Sequence, residues 1–439
     1  MMRSAAGMPP YRESFKTIRD DHAMPRKLKR KLERILKNLA MPFDAALHGF
    51  LLSIRRRSRN EKIKIAFIVQ RTEVFDSVRT VFEEAVSAPD AEVLLLALPR
   101  YRQGALDYGD TSSLDFCMAL GKDITASAFD REREFDLEAW APDYVFLNVP
   151  YTSEYPKRYA IRNLARYSRV CYIPYGYMMM EGEILHTCFG SRLFRLASFI
   201  FADGDLSWDF CRKRLFLSDM LFKKRLYRLG YPRFDLQFAR RDSLPVRRSV
   251  LYLPRWKAAG KEDADNIGSS FLEYKDFFVS FALSHPDVEV VIRPHPLMFD
   301  NFTRNGLMTP EEVDAFRHAV SAIANLRLDE EPSYGNALAA ADILAADFTS
   351  LLAEYFITAR PICYLSGSRL FSQYDKMMFE TFYHPGTPED LGVILQNLLR
   401  GRDPKKEMRD AAVQDFYEKN ACGRAGKEIF SLIRQDSGR

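Results

Sequence analysis

Short apolar runs alternate with helix-patterned segments after residue 61, and this alternating series occurs twice along the chain. Runs of about four to eight apolar, often β-branched residues are typical of strands buried on both faces of a parallel sheet. Neighbouring parallel strands need a crossover connection, which is usually a helix. The sequence therefore predicts an α/β fold with two Rossmann-like, doubly wound domains.

The two series occupy residues 61–235 and 246–405, which we interpret as an N-terminal and a C-terminal domain. The first series closes at 229–235, and the polar, proline-containing stretch that follows is interpreted as the linker. Residues 406–439 are predicted to form a C-terminal helix. The predicted strands are 63–70, 91–98, 144–148, 169–173 and 199–202 in the first domain, and 249–253, 288–292, 342–346 and 361–365 in the second.

Ligands of open α/β sheets bind beyond the carboxyl ends of the strands. Two such domains facing each other would enclose a cleft between their strand ends. We therefore expect functional side chains just after the predicted strands.

Residues 1–60 are predicted to form a basic helical arm. Between 26 and 59 there are eleven Lys and Arg residues against two acids, whereas the whole chain carries only +5. A basic amphipathic helix is typical of a segment that binds an anionic membrane surface, and an arm packed on the protein with a solvated basic face is an equal alternative. The acidic balance of the remaining chain argues against nucleic acid as a partner. The apolar positions at helical spacing are Leu28, Leu32, Ile35, Leu36 and Leu39.

The six cysteines are scattered without a Cys-x-x-Cys pair, and no apolar run reaches the roughly 18 residues that a membrane-spanning helix needs. The chain also opens without the apolar run of a signal peptide. These features predict reduced thiols and a cytoplasmic protein, with the basic arm allowing a peripheral place on the inner face of the cell membrane.

The segment 292–296 reads Ile-Arg-Pro-His-Pro and follows a predicted strand. Arg293 offers a guanidinium fork for phosphate, and His295 can exchange a proton near neutral pH. The alternative is a rigid turn whose histidine only packs and forms hydrogen bonds. The position at a strand end favours the functional interpretation.

A second polar segment follows the strand that ends near Asp347. Thr349 or Ser350 can cap the next helix, whose N-terminal N–H groups would donate hydrogen bonds to a diphosphate. Glu354 lies one turn into that helix, within reach of a ribose hydroxyl. The alternatives are an ordinary N-cap and an acid that stabilises a helix N-terminus.

Five short segments keep a fixed order between residues 200 and 400. They are 230–235 (Gly-Tyr-Pro-Arg-Phe-Asp), 251–257 (Leu-Tyr-Leu-Pro-Arg-Trp-Lys), 293–296 (Arg-Pro-His-Pro), 346–350 (Ala-Asp-Phe-Thr-Ser) and 360–362 (Arg-Pro-Ile). Their order and spacing resemble those of the CDP-glycerol glycerophosphotransferases, which make teichoic-acid-like chains or related capsules. The resemblance implies a fold of GT-B type, with an acceptor domain first and a nucleotide-donor domain second.

The resemblance also implies roles for matching residues. Arg293 and His295 would act at the donor phosphates, and Thr349 and Ser350 would hold the diphosphate. From their positions in the same strand-end segment, Asp347 and Glu354 are also predicted to contact the donor. Additional phosphate contacts would come from Arg255 and Lys257. The donor would be CDP-glycerol or a related CDP-polyol, and the acceptor lipid-linked or polymeric.

The family's first half typically supplies a catalytic histidine from a His-Gly-Thr turn, where this chain reads Ile-Pro-Tyr-Gly-Tyr at 173–177. Tyr175 can donate a hydrogen bond there, but its ordinary pKa of about 10 makes it a poor base. His295 is the leading acid/base candidate. If it only binds phosphate, the base must come from the first half, where Glu154 and Glu181 are the candidates beside the alternative of solvated surface acids.

No His, Asp or Glu cluster has metal-ligand spacing, and a Mg²⁺ held loosely on the diphosphate is compatible with the sequence. Two rival functions remain open. A sugar transferase of the same architecture would use a nucleotide sugar, and a non-catalytic assembly protein would keep the cleft without the chemistry.

Overall fold

The computed structural model describes residues 61–438 apart from short internal segments. Those segments are residues 103, 191, 216–224, 241–247, 258–267, 332–333, 367–370 and 421. The predicted arm at 1–60, with its membrane-binding face, lies outside the described residues.

A seven-stranded parallel sheet forms the first half. Its central strands are buried on both faces: Ile65 and Phe67 pack into one apolar core, and Ala66 and Ile68 pack into the other. Such two-sided burial explains the continuous apolar runs in the sequence. The strands of this half, with one antiparallel hairpin (β3 and β4), are β1 (Ile63–Val69), β2 (Ala91–Ala97), β3 (Arg100–Arg102), β4 (Ala105–Asp107), β5 (Thr125–Ser127), β6 (Tyr144–Leu147), β7 (Arg169–Tyr172), β8 (Phe199–Phe201) and β9 (Arg225–Tyr227).

The strand order of this sheet is β5-β2-β1-β6-β7-β8-β9. The direction of winding therefore reverses between β1 and β6, which is the switch point where open α/β sheets bind ligands. The helices of this half are α1 (Arg79–Ser87), α2 (Ser112–Leu120), α3 (Leu137–Trp140), α4 (Ile161–Tyr167), α5 (Glu183–Phe189), α6 (Arg192–Leu196), α7 (Asp205–Arg212) and α8 (Pro232–Arg240).

The second half contains a five-stranded parallel sheet of order β12-β11-β10-β13-β14. Its strands are β10 (Ser249–Leu253), β11 (Glu289–Ile292), β12 (Leu326–Leu328), β13 (Ile343–Ala346) and β14 (Ile362–Tyr364). Its helices are α9 (Phe271–Ser284), α10 (Met298–Arg304), α11 (Pro310–Ser321), α12 (Gly335–Ala340), α13 (Leu351–Phe356), α14 (Lys376–Glu380), α15 (Pro388–Leu399), α16 (Lys406–Lys419) and α17 (Ala425–Asp436). The switch point of this sheet lies between β10 and β13.

The linker prediction needs a correction at α8. Pro232 begins a helix there because its fixed φ suits the first helical position and it has no N–H to leave unbonded. The helix buries Phe234 in the core shared by both halves. The first series therefore continues to Arg240 and does not close at 235.

The end of the chain returns to the first half. Helix α17 packs on α1, and the Tyr144 hydroxyl donates to Asp436 Oδ2 at 2.6 Å. Asp235 of α8 accepts the first N–H groups of α17, from Ala425 at 3.1 Å and Gly426 at 2.8 Å. The 406–439 region is thus two helices, α16 and α17, and the second fastens the halves together.

All six cysteines are buried thiols. Across the described part of the chain, no helix combines the length and the apolar character needed to cross a bilayer.

Candidate active site

Four of the predicted donor-binding residues lie at one edge of the second sheet. Arg255 and Lys257 follow β10, and Thr349 and Ser350 follow β13. These two parallel strands are neighbours at the switch point, so their carboxyl ends meet at the same edge.

His295 follows β11, and its ring lies 6.0 Å from that of Trp256. The backbone N–H of Leu297 donates to Nδ1 at 3.2 Å. The residue is exposed at the surface, yet partial desolvation of the ring lowers the pKa of His295; Arg255 lowers the pKa further, and Glu73 raises it. Because Nδ1 is an acceptor, the neutral imidazole carries its proton on Nε2 and can donate it to a ligand.

Glu73 is the acid of the first half whose charge acts on His295. It lies in the 3₁₀ turn Thr72–Ser77 after β1, is partly exposed and pairs with the Arg100 guanidinium. The sequence reasoning missed Glu73, although its place just after a central strand was an available signal. The negative charge of Glu73, in the turn after β1, thus favours the protonated form of His295.

Arg293 binds within the second half. Its guanidinium donates to Asp329 Oδ2 at 2.8 Å and to the Glu331 carbonyl at 2.6 Å. Asp329 follows β12, so the pair joins the ends of two neighbouring strands. These contacts hold the loop that carries His295, and the predicted contact of Arg293 with a donor phosphate stays a prediction.

Asp347 is fully buried and binds backbone. Its Oδ2 accepts the N–H groups of Arg255 at 2.7 Å and Ser270 at 3.0 Å. Burial raises the pKa of Asp347, and these hydrogen bonds oppose that effect. The carboxyl fixes the loop after β10, which differs from the predicted direct contact with the donor.

Thr349 and Ser350 are half-buried at the start of α13. Thr349 Oγ1 accepts the Leu351 N–H at 3.4 Å, which is a long capping bond. Ser350 occupies the N-cap position with helical backbone angles, φ −60° and ψ −20°. An N-cap residue usually has extended angles, so the Ser350 hydroxyl is not placed as in an ordinary cap.

Glu354 is fully buried, which differs from its predicted contact with a ribose hydroxyl. The Tyr334 hydroxyl lies 3.2 Å from each carboxylate oxygen, and Arg233 Nε lies 3.5 Å from Oε1. Burial raises the pKa of Glu354, and Arg233 opposes the rise. Arg233 lies in the 230–235 segment that resembles the family, and no role was predicted for it.

Tyr175 and Glu181 were predicted on the acceptor side. Tyr175 is half-buried in the turn after β7, and burial together with the neighbouring Tyr151 hydroxyl raises its pKa. Tyr175 therefore stays protonated, so it can donate a hydrogen bond but does not serve as a base. Glu181 is exposed in the segment before α5. Glu154, the other predicted base, pairs with Arg71 at 2.9 Å.

Among the residues that the structure describes, no group of three or more His, Cys, Asp or Glu side chains could hold a metal ion.

Comparisons with known proteins bear on both fold and family. The sequence model of the family described as CDP-Glycerol:Poly(glycerophosphate) glycerophosphotransferase matches residues 213–433. No curated protein sequence matches the chain.

Several solved structures share the fold. The wall teichoic acid polymerase TagF matches with a TM-score of 0.52 and 16% identity, over 95% of this chain and 99% of that chain. A TagF variant soaked with CDPG gives a TM-score of 0.55 and 15% identity over the same shares. UDP-GlcNAc 2-epimerase from Neisseria meningitidis, bound to UDP-GlcNAc, gives 0.54 and 14% over 84% of this chain and 99% of that chain. The predicted two-domain fold of GT-B type is confirmed.

Proposed function

We propose, from the premise that this chain belongs to the CDP-glycerol:poly(glycerophosphate) glycerophosphotransferase family, that it transfers glycerol phosphate from CDP-glycerol to a hydroxyl-bearing acceptor. The family match covers half of the chain and confirms the resemblance predicted from its motifs. The chain is thus a transferase of phosphate-containing groups. The observation that carries the proposal at the site is the meeting of Arg255, Thr349, Ser350 and His295 at the strand ends of the second half.

In the proposed reaction, the acceptor hydroxyl oxygen attacks the phosphorus that bears glycerol. The bond between that phosphorus and the bridging oxygen breaks, and CMP leaves with the electron pair. Phosphoryl transfers of this kind depend mainly on positioning and charge stabilisation. Arg255 and Lys257 stabilise charge on the phosphates, while the hydroxyls of Thr349 and Ser350 donate hydrogen bonds to them.

His295 serves as a hydrogen-bond donor in this proposal. Its Nδ1 accepts the Leu297 N–H, so Nε2–H is the ring group that can donate a hydrogen bond to a phosphate oxygen. The acceptor proton then goes to a carboxylate of the first half, and Glu73 is our candidate because its charge reaches His295. In this proposal Glu73 takes the role of base from His295, the leading acid/base candidate of the sequence, and is preferred to the alternatives Glu154 and Glu181.

A Glu73→Gln substitution tests the base. We expect kcat to fall by about 10²- to 10⁴-fold, the usual contribution of a general base. The exposed Glu84 of α1 supplies the matched control, Glu84→Gln, which should keep full activity. Equal activity of the two variants would remove Glu73 from the mechanism.

The acceptor is proposed to be lipid-linked or polymeric, with the basic arm at 1–60 holding the protein on an anionic membrane surface. Sedimentation with anionic and with neutral vesicles tests the arm. Replacing Arg55, Arg56, Arg57 and Arg59 with glutamate should abolish binding to the anionic vesicles; unchanged binding would contradict the membrane role.

A donor panel tests the function itself. CDP-glycerol, CDP-ribitol, UDP-sugars and CMP-sugars are each incubated with the protein and a membrane extract as acceptor source. We expect CMP release from a CDP-alcohol, with His295→Ala strongly impaired. Turnover only with a nucleotide sugar would favour the sugar transferase, and no turnover with any donor would favour a non-catalytic protein.

A further inference from the structure

Arg233, in the first turn of α8, is only 4% exposed and contacts four separate segments of the chain. One terminal nitrogen donates to the Tyr175 carbonyl at 2.6 Å, and the other donates to the Glu73 carbonyl at 2.8 Å. Its Nε lies 3.5 Å from Glu354 Oε1. The guanidinium also lies 4.9 Å from the centre of the Tyr334 ring.

These contacts join the two halves at the cleft. Glu73 follows β1 and Tyr175 follows β7, so both lie at strand ends of the first sheet. Glu354 belongs to α13, the helix of the second half that begins just after Ser350. One side chain therefore ties two acceptor-side loops to the donor-side helix.

The carbonyls that Arg233 binds belong to loops facing the proposed reaction. Gly176, next to Tyr175, approaches Ser350 across the cleft. The Glu73 side chain acts on the charge state of His295. A shift of the guanidinium would thus move both loops relative to the donor site.

The chemistry of arginine explains why this position needs it. A guanidinium is planar, stays charged and presents several donors in a fixed fork, whereas a lysine ammonium is a point charge on a flexible stem. A lysine at 233 can keep the charge beside Glu354 but cannot hold both carbonyls in the same geometry.

We propose that Arg233 is a positioning residue of the transfer reaction, setting the Glu73 and Tyr175 loops of the acceptor half against the helix that begins at Ser350. This inference rests on the proposed function and deepens it. Arg233 does not touch the donor site, so donor binding should survive its replacement. Its replacement should slow the transfer step, because misplacing the reacting groups by about 1 Å can lower the rate 10²-fold.

The test compares Arg233→Lys with Arg409→Gln. Arg409 is also a buried arginine, 1% exposed, and binds Asp403 and the Ala359 carbonyl within the second half. For each variant we would measure the thermal midpoint, the Kd for CMP, and kcat for transfer and for donor hydrolysis. Glu354→Gln is the second variant if Arg233→Lys does not fold.

For Arg233→Lys, we expect kcat for transfer to fall by about 10- to 100-fold, with the Kd for CMP within about threefold of the wild type. Hydrolysis should take a larger share of CMP release. Arg409→Gln should lower the thermal midpoint without changing kcat of the folded protein. An unchanged kcat, or CMP affinity lost in parallel with kcat, would overturn the proposal.

A second readout separates this inference from the proposed function. Spin labels at the exposed positions Lys122 and Arg304 report the distance between the halves. We expect the distance distribution to broaden in Arg233→Lys and to stay narrow in Arg409→Gln. Absence of turnover in the wild-type protein would reject the proposed function, whereas unbroadened distances in Arg233→Lys would reject the positioning role.

Discussion

Gly176 and Ser350 pack against each other across the cleft: a Cβ at Gly176 would lie 3.3 Å from Ser350 Oγ and 3.6 Å from Ser350 Cβ. Gly176 belongs to the turn after β7, and Ser350 begins α13. The absence of a side chain at 176 lets the acceptor-side turn reach the proposed phosphate-binding residues directly.

Gly176→Ala should push this turn away from Ser350. We expect kcat to fall by about tenfold or more because the halves lose their alignment. In a Ser350→Ala background the tight contact with Oγ is absent, so the added methyl group at 176 should cost less. Rate measurements on the double-mutant cycle check this coupling, with Gly109→Ala as control because its Cβ would meet only Asp107 Oδ1 at 3.4 Å. Additive effects would contradict the contact.

His295 should behave as a hydrogen-bond donor. Removing such a donor from an anionic transition state costs about 10²- to 10³-fold in kcat, which we expect for His295→Ala. His295→Gln keeps an N–H donor and should retain more activity. The exposed His318 supplies the control, His318→Ala. If glutamine and alanine were equally inactive at 295, a base role would be favoured.

The pKa of His295 should lie below the ordinary histidine value of 6.5, because desolvation and Arg255 disfavour the imidazolium. Removing the negative charge in Glu73→Gln should lower this pKa further, and Arg255→Gln should raise it. Histidine ring signals followed by NMR during a pH titration, with His295→Ala for assignment, measure these changes. An upward shift in Glu73→Gln would contradict the placement of Glu73.

Buried carboxyls make stability depend on pH. Asp375 accepts hydrogen bonds from Tyr177 at 3.0 Å and Ser372 at 2.6 Å, and burial raises its pKa to about 7 from 3.8. The folded state therefore holds a proton that the unfolded state releases between these two values. The stabilisation from this proton is complete below the unfolded-state value of 3.8, declines as the pH rises from there, and is gone above about pH 7.

Asp375→Asn should flatten this dependence. Between about pH 4.5 and 7 the Asp375 proton should make the thermal midpoint of the wild type fall more steeply with rising pH than the midpoint of Asp375→Asn, and above about pH 7.5 this difference in slope should vanish. Some dependence of the thermal midpoint on pH should remain in Asp375→Asn, because burial also raises the pKa of Asp203 to about 6. Asp287→Asn, at an exposed ion pair, should follow the wild type. An equal slope in Asp375→Asn would refute the assignment.

The sequence predicted the central strands closely and the edges poorly. The predicted strand 249–253 has the same bounds as β10, because two-sided burial leaves a continuous apolar run. Strands β5, β9 and β12 escaped prediction because each has three residues and includes at least one polar side chain, so none forms an apolar run. The equally short β8 and β14 are apolar and were predicted. Helix α8 was interpreted as a turn and linker because Gly-Tyr-Pro is typical of turns, whereas its proline begins a helix.

The site residues that could be predicted are those that directly follow the carboxyl end of a strand. His295, Thr349 and Ser350 were located from their positions after apolar runs, and the structure places them after parallel strands. The partners of Arg293 and Glu354 could not be predicted, because they come from elements distant in sequence and no local pattern marks which charged side chain is buried.

The central claim is transfer of glycerol phosphate with release of CMP, and a double-labelled donor tests it most directly. CDP-glycerol labelled in both the glycerol and the phosphate next to it is incubated with the protein and membrane acceptor. We predict that both labels enter the product in equal amounts, with one CMP released for each transfer. Transfer of glycerol without its phosphate, accompanied by release of CDP, would contradict the account.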